Sequence, residues 1–176
     1  MPTYVALLRA VNLGGTNKLP MADLKRLCEA AGFRGARTYI ASGNVLFASD
    51  LAEPEVKAAL EARLRAYAGK PVPVLVRTAA ELRRVVADNP FSGDPPDRTV
   101  AVFLDAPPPA DALARATGVA GEALGTGARE VYIAYRTREG MRDSKLKLPA
   151  LAHGTARNMN TVAALARMAA GDSPGG

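Results

Sequence analysis

"ARTYIASGNVLFAS", residues 36–49, holds two β-forming runs on either side of Ser42-Gly43-Asn44. Gly43 supplies the positive φ that tight hairpin turns require, so the stretch predicts a β-hairpin. Two strands then stand in succession, and the segments around them decide the fold.

Upstream, "TYVALLRAV" (residues 3–11) predicts a strand and "PMADLKRLCEAAG" (20–32) a helix. Met21, Leu24, Leu27, Cys28 and Ala31 share one face of that helix, with Pro20 at its first turn and Gly32 at its C-terminal cap. Cys28 on this apolar face is expected to be a core residue rather than a reactive thiol. Downstream, "EPEVKAALEARLRAYAG" (53–69) predicts a second helix with Val56, Leu60, Leu64 and Tyr67 as its buried stripe. "PVPVLVR" (71–77) predicts an edge strand, because its prolines cannot donate to a ladder. Residues 3–77 therefore read β-α-β-β-α-β, the split βαβ or ferredoxin-like arrangement.

The second half is related in order. "TAAELRRVVADNPF" (78–91) predicts a helix opened by a Thr78/Glu81 capping box, and "TVAVFLD" (99–105) a strand. "APPPADALARATG" (106–118) predicts a proline-started helix, and "GEALGTGAREVYIAYR" (121–136) a hairpin turning at Gly125-Thr126-Gly127. "DSKLKLPAL" (143–151) is a short helix at best, and "NTVAALARMAAG" (160–171) a better one, standing where a fourth strand would fall. The expected fold is α+β: a ferredoxin-like first half (3–77) packed with a related second half (78–170), then a disordered tail (171–176).

Composition narrows the function classes. The chain has 176 residues with ordinary globular hydrophobicity. One cysteine excludes an internal disulfide, and one histidine leaves little for a transition metal. No metal or covalent cofactor is expected. No apolar stretch reaches the length of a membrane span, and the N-terminus lacks the features of a secretory leader, so a cytoplasmic protein is the expectation. The net charge of +6 is uneven: residues 1–49 carry +4 and residues 137–170 carry +4. Such a surplus suits a nucleic-acid or phosphate-containing partner, and equally suits a solvated surface with no partner.

The split βαβ order gathers particular loops. The end of the first strand, the hairpin turn and the start of the first helix share one sheet edge. The end of the second helix, near Lys70, reaches it too. "NLGGTNK" (12–18) lies at that edge, so Asn12, Gly14, Gly15, Asn17 and Lys18 are expected near Ser42, Gly43 and Asn44. Glycines let backbone amides approach an anion and the helix N-terminus favours negative charge. The spacing is neither a P-loop nor a dinucleotide fingerprint. Turn chemistry alone also accounts for Asn, Ser and Gly at such places. Arg9, on the face of Val5 and Leu7, needs either a partner or a ligand.

"LLRAVNLGGTNKLPMADL", "GARTYIASGNVLFAS", "NPF", "GMRDSKL" and "TARNMNTVAAL" together resemble, in this order, the bacterial domain-of-unknown-function family 1697 (DUF1697), over residues 3–170. The resemblance implies two packed α+β subdomains and brings no activity, substrate or catalytic residues. It adds motif positions: Ser144 and Lys145, then Arg157, Asn158, Asn160 and Thr161. Where the family commonly has Trp this chain has Met159, which weakens a model with a base stacked there. Asn160 or Thr155 is a candidate N-cap. Both polar groups, Arg9 to Asn44 and Ser144 to Asn160, are expected to line one cleft between the halves and bind an anionic ligand, nucleic acid or nucleotide. An enzyme using the Asn, Lys and Arg side chains, without a recognisable catalytic constellation, is the alternative. A homodimeric interaction protein is another.

Overall fold

The computed structural model describes residues 1–9, 18–40 and 43–171. The chain divides into two units, Met1–Leu82 with Leu165–Gly176, and Arg83–Ala164.

In the first unit, β1 (Thr3–Leu8), α1 (Met21–Ala30), β2 (Arg34–Thr38), β3 (Asn44–Ala48), α2 (Glu53–Ala68) and β4 (Val74–Thr78) follow the order read from the sequence. The sheet runs β2-β3-β1-β4 with every neighbouring pair antiparallel. This is the strand order a split βαβ unit requires. β1 ends at Leu8, shorter than the run to Val11 read from its β-formers, and residues 10–17 lie outside the described residues.

Alternation along the strands builds the core. Tyr4, Ala6 and Leu8 of β1 pack with Val45 and Phe47 of β3, Val74 and Val76 of β4, and the buried stripes of the two helices. α1 contributes Leu24 and Cys28, and α2 contributes Val56, Leu60 and Leu64. Each fully buried aliphatic side chain stabilises the fold by about 1.5–3 kcal/mol. Phe33 stacks on Phe47 with ring centroids 4.2 Å apart. α2 stops at Gly69, whose φ of 74° is left-handed backbone that other residues adopt at a cost. β4 lies at the sheet edge, as its flanking prolines required. Its first residue is covered: the Val74 N–H donates to Glu61 Oε2 at 3.0 Å, and Lys57 donates to the Val74 carbonyl. An edge blunted in this way is a poor template for another strand.

α3 (Ala79–Ala87) leaves β4 without a loop. The capping box is present: Glu81 N–H donates to Thr78 Oγ1 at 3.2 Å, and Thr78 N–H to Glu81 Oε1 at 3.0 Å.

The second unit contains β5 (Thr99–Phe103), β6 (Ala123–Thr126), β7 (Glu130–Ala134), α4 (Arg138–Arg142), β8 (Thr155–Asn158) and the start of α5 (Met159–Ala169). Its sheet runs β6-β7-β5-β8, again all antiparallel. Val100, Val102, Leu104, Val131, Ile133 and Leu148 form its core on one sheet face.

The sequence reading needs four corrections here. A fourth strand does exist: "TARN" forms β8 against β5, and the final helix follows it rather than replacing it. Residues 106–118 make only a 3-10 turn at Leu113–Arg115. Pro107, Pro108 and Pro109 lack the N–H donors and the conformational freedom that a longer helix needs. Residues 143–151 hold a 3-10 turn at Pro149–Leu151, while α4 forms at 138–142 with Thr137 Oγ1 accepting from Gly140 N–H at 2.8 Å. The second hairpin turns at 127–129, because Gly127 N–H donates to the Glu130 carbonyl at 2.8 Å.

Candidate functional site

At the C-terminal end of β1 the first unit brings several connections together. The Leu8 N–H donates to the Gly43 carbonyl at 2.9 Å, and the Arg9 N–H donates to the Pro73 carbonyl at 3.0 Å. The hairpin turn and the entry to β4 therefore flank the end of β1. α2 delivers Tyr67, Ala68 and, past Gly69, Lys70 to the same end, and Lys18-Leu19-Pro20 lead into α1.

A pocket of about 430 Å³ opens here, lined by Lys18, Leu19, Leu64, Tyr67, Ala68, Lys70 and Val72. Its walls are aliphatic and aromatic, and its charged lining residues are two lysines. No carboxylate is among the described lining residues. Lys18 and Lys70 are exposed, whereas Leu19, Leu64 and Val72 are buried. Tyr67 donates its hydroxyl to Asp23 Oδ2 at 2.6 Å, and Asp23 also pairs with Arg26. The phenol tip is thereby held while the ring serves as wall. The sequence reading placed Tyr67 in the buried stripe of α2, but the residue is 45% exposed. It is the pocket-lining residue that periodicity alone conceals.

The predicted site residues divide by what they touch. Lys18 lies in the pocket and Arg9 is half-buried just past β1. Asn12, Gly14, Gly15, Asn17 and Ser42 lie outside the described residues. Asn44 is fully buried opposite Leu7, and its Nδ2 donates to the Tyr39 carbonyl at 3.0 Å. The Tyr39 N–H donates back to the Asn44 carbonyl at 3.1 Å, so this residue staples the hairpin.

Within the second unit, Ser144 donates to Glu122 Oε1 at 2.8 Å and accepts from Leu146 N–H at 3.2 Å. The Ala120 N–H, followed by the Ser144 hydroxyl, holds the Glu122 carboxyl below its ordinary pKa. Burial, with Glu122 nearby, raises Tyr135. Lys145 is exposed. Arg157 is buried and donates from Nη1 to Thr155 Oγ1 at 2.8 Å and to the Ala156 carbonyl at 3.0 Å. Burial lowers its pKa to about 10, still far above neutrality, so the guanidinium stays charged. Asn158, rather than Asn160 or Thr155, caps α5: its Oδ1 accepts from Thr161 N–H at 2.9 Å. The reason is that β8 runs straight into the helix. Asn160 and His153 are exposed, and Met159 is buried. Among the described residues no group of three potential metal ligands comes together, and no helix is long and apolar enough to cross a membrane.

The class is thus an α+β protein of two four-stranded antiparallel sheets, each in the same strand order. The chain belongs to the family described as protein of unknown function DUF1697, whose model matches residues 1–132. The "GMRDSKL" and "TARNMNTVAAL" stretches fall beyond that match. The conserved bacterial protein SP0830 from Streptococcus pneumoniae is similar in structure, with a TM-score of 0.81 at 22% identity, covering 96% of this chain and 98% of that one. At that identity the likeness is one of fold. No curated protein matches the chain.

Proposed function

We propose that this protein binds a phosphate-bearing ligand, nucleic acid or nucleotide, at the open end of its first unit. The observation that supports this reading is the pocket in which Lys18 and Lys70 line one concavity with no carboxylate among its described lining residues. Two ammonium groups around a partly apolar hollow favour an anion that brings an apolar portion of its own. The pocket lies within the range of about 300–1,000 Å³ common for small-molecule sites. Arg9 at the end of β1 adds a third cation to the same sheet edge.

Salt-titrated binding tests the reading. Labelled single-stranded RNA and DNA and unlabelled nucleotides would be titrated at about 50 and 200 mM salt, where phosphate contacts weaken measurably. Saturable binding that falls with salt, and falls further in the Lys18→Ala/Lys70→Ala double variant, is the expected result. Absence of saturable binding at low salt removes the proposal.

A further inference from the structure

Resting on that reading, we infer that the pocket takes a nucleoside phosphate, with its base against the ring of Tyr67 and its phosphate between Lys18 and Lys70. Three observations converge on this class. The two lysines supply charge for a phosphate, as point cations rather than planar forks. Leu19, Leu64 and Val72 form an aliphatic wall that a bare phosphate or sugar phosphate would leave unused. Tyr67, 45% exposed as a residue, lines the pocket, and its hydroxyl is tied at 2.6 Å to Asp23, a carboxylate that does not. A tethered ring loses little freedom when a flat group stacks on it, which is the way preorganisation raises affinity. An exposed aromatic beside cations matches the chemistry by which bases and phosphates are bound together.

The test uses three probes on the full chain by titration calorimetry at low salt: adenosine monophosphate, ribose 5-phosphate and inorganic pyrophosphate. The nucleotide is expected to bind about ten-fold more tightly than ribose 5-phosphate, the scale of one base–aromatic stack. Tyr67→Ala is expected to erase that difference while leaving pyrophosphate binding in place, and Tyr67→Phe to keep most of it. Tyr67 lies on the surface, so circular dichroism of each variant should match the parent. Equal affinity for nucleotide and ribose 5-phosphate, or an unchanged ratio in Tyr67→Ala, overturns the base contact while sparing the phosphate site. Failure of all three probes overturns both.

Discussion

Arg77 and Arg157 stand at the same register position in the two sheets. Arg77 lies opposite Val5 of β1 and Arg157 opposite Ala101 of β5, each partner being the third residue of its strand. Both arginines are buried, and each donates from Nη1 to the carbonyl of the residue before it, at 3.0 Å in both cases. Each is followed at once by the residue that caps the next helix: Thr78 accepts from Glu81 N–H, and Asn158 from Thr161 N–H. A strand, a buried arginine, a cap and a helix thus recur in both units.

The caps carry the first prediction. Side-chain caps satisfy N–H groups that a helix cannot satisfy itself, and removing one costs about 1 kcal/mol. Thr78→Ala and Asn158→Ala should each lower Tm by about 2–4 °C. Asn158→Asp should hold or raise it, because a carboxylate caps equally well and favours the helix N-terminus. Thermal denaturation followed by circular dichroism checks all three.

The clasp between residues 117–122 and 144–147 gives the second. A Cβ on Gly118, where φ is +71°, would come within 2.1 Å of the Lys145 carbonyl oxygen. Backbone rather than a flexible side chain blocks it, so Gly118→Ala should cost more than about 2 kcal/mol, adding a clash to the left-handed penalty. Ser144→Ala removes the bond to Glu122 together with the one accepted from Leu146 N–H and should lower the urea midpoint. Glu122 also fixes a pH dependence. Its folded pKa lies below its unfolded one, so its contribution is present above the ordinary glutamate value and is lost as pH falls through the folded one. Urea midpoints across the acid range should show a shallower decline in Ser144→Ala than in the parent.

What was legible in the sequence follows from how local each signal is. The first hairpin announced itself because Gly43 and two apolar runs act over a few residues. α1 and α2 did so because a stripe at helical spacing is a property of the segment alone. β8 was hidden: "TARN" has one small apolar residue and an arginine, and it is a strand because the edge of β5 pairs with it. The triple proline at 107–109 overrode a helical pattern that was otherwise plausible. Of the pocket lining, Lys18 was singled out by the polarity of its loop, but Tyr67 was not. α2 has 16 residues, about 24 Å at helical rise, while its strand partners span about 17–20 Å. The helix outruns the sheet, and the last member of its stripe has less sheet beneath it.

Asn44 supplies the third prediction. Its fully buried amide donates to the Tyr39 carbonyl across the hairpin. Asn44→Ala strands that carbonyl and should cost about 1–3 kcal/mol. Asn44→Asp should cost more, since it replaces the donor with a buried acceptor carrying charge. Denaturant midpoints rank the two, and reversal of the order would show that the amide is not what closes this turn.

Cys28 supplies the last. Its thiol is fully buried on α1, and burial, followed by the nearby Glu29 charge, pushes its pKa up to about 12. The thiolate is the reactive species, so the native protein should resist a thiol-specific disulfide reagent at pH 8 and react fully once urea unfolds it. The same shift sets an alkaline limit. Between the ordinary thiol value and about 12 the unfolded chain loses this proton and the folded chain keeps it. The folded state therefore binds more protons there, and stability falls as pH rises through that window. Cys28→Ala should start less stable at pH 7, having lost core packing, yet decline less steeply between pH 9 and 11 than the parent. Parallel declines would mean that the thiol does not contribute to the alkaline slope.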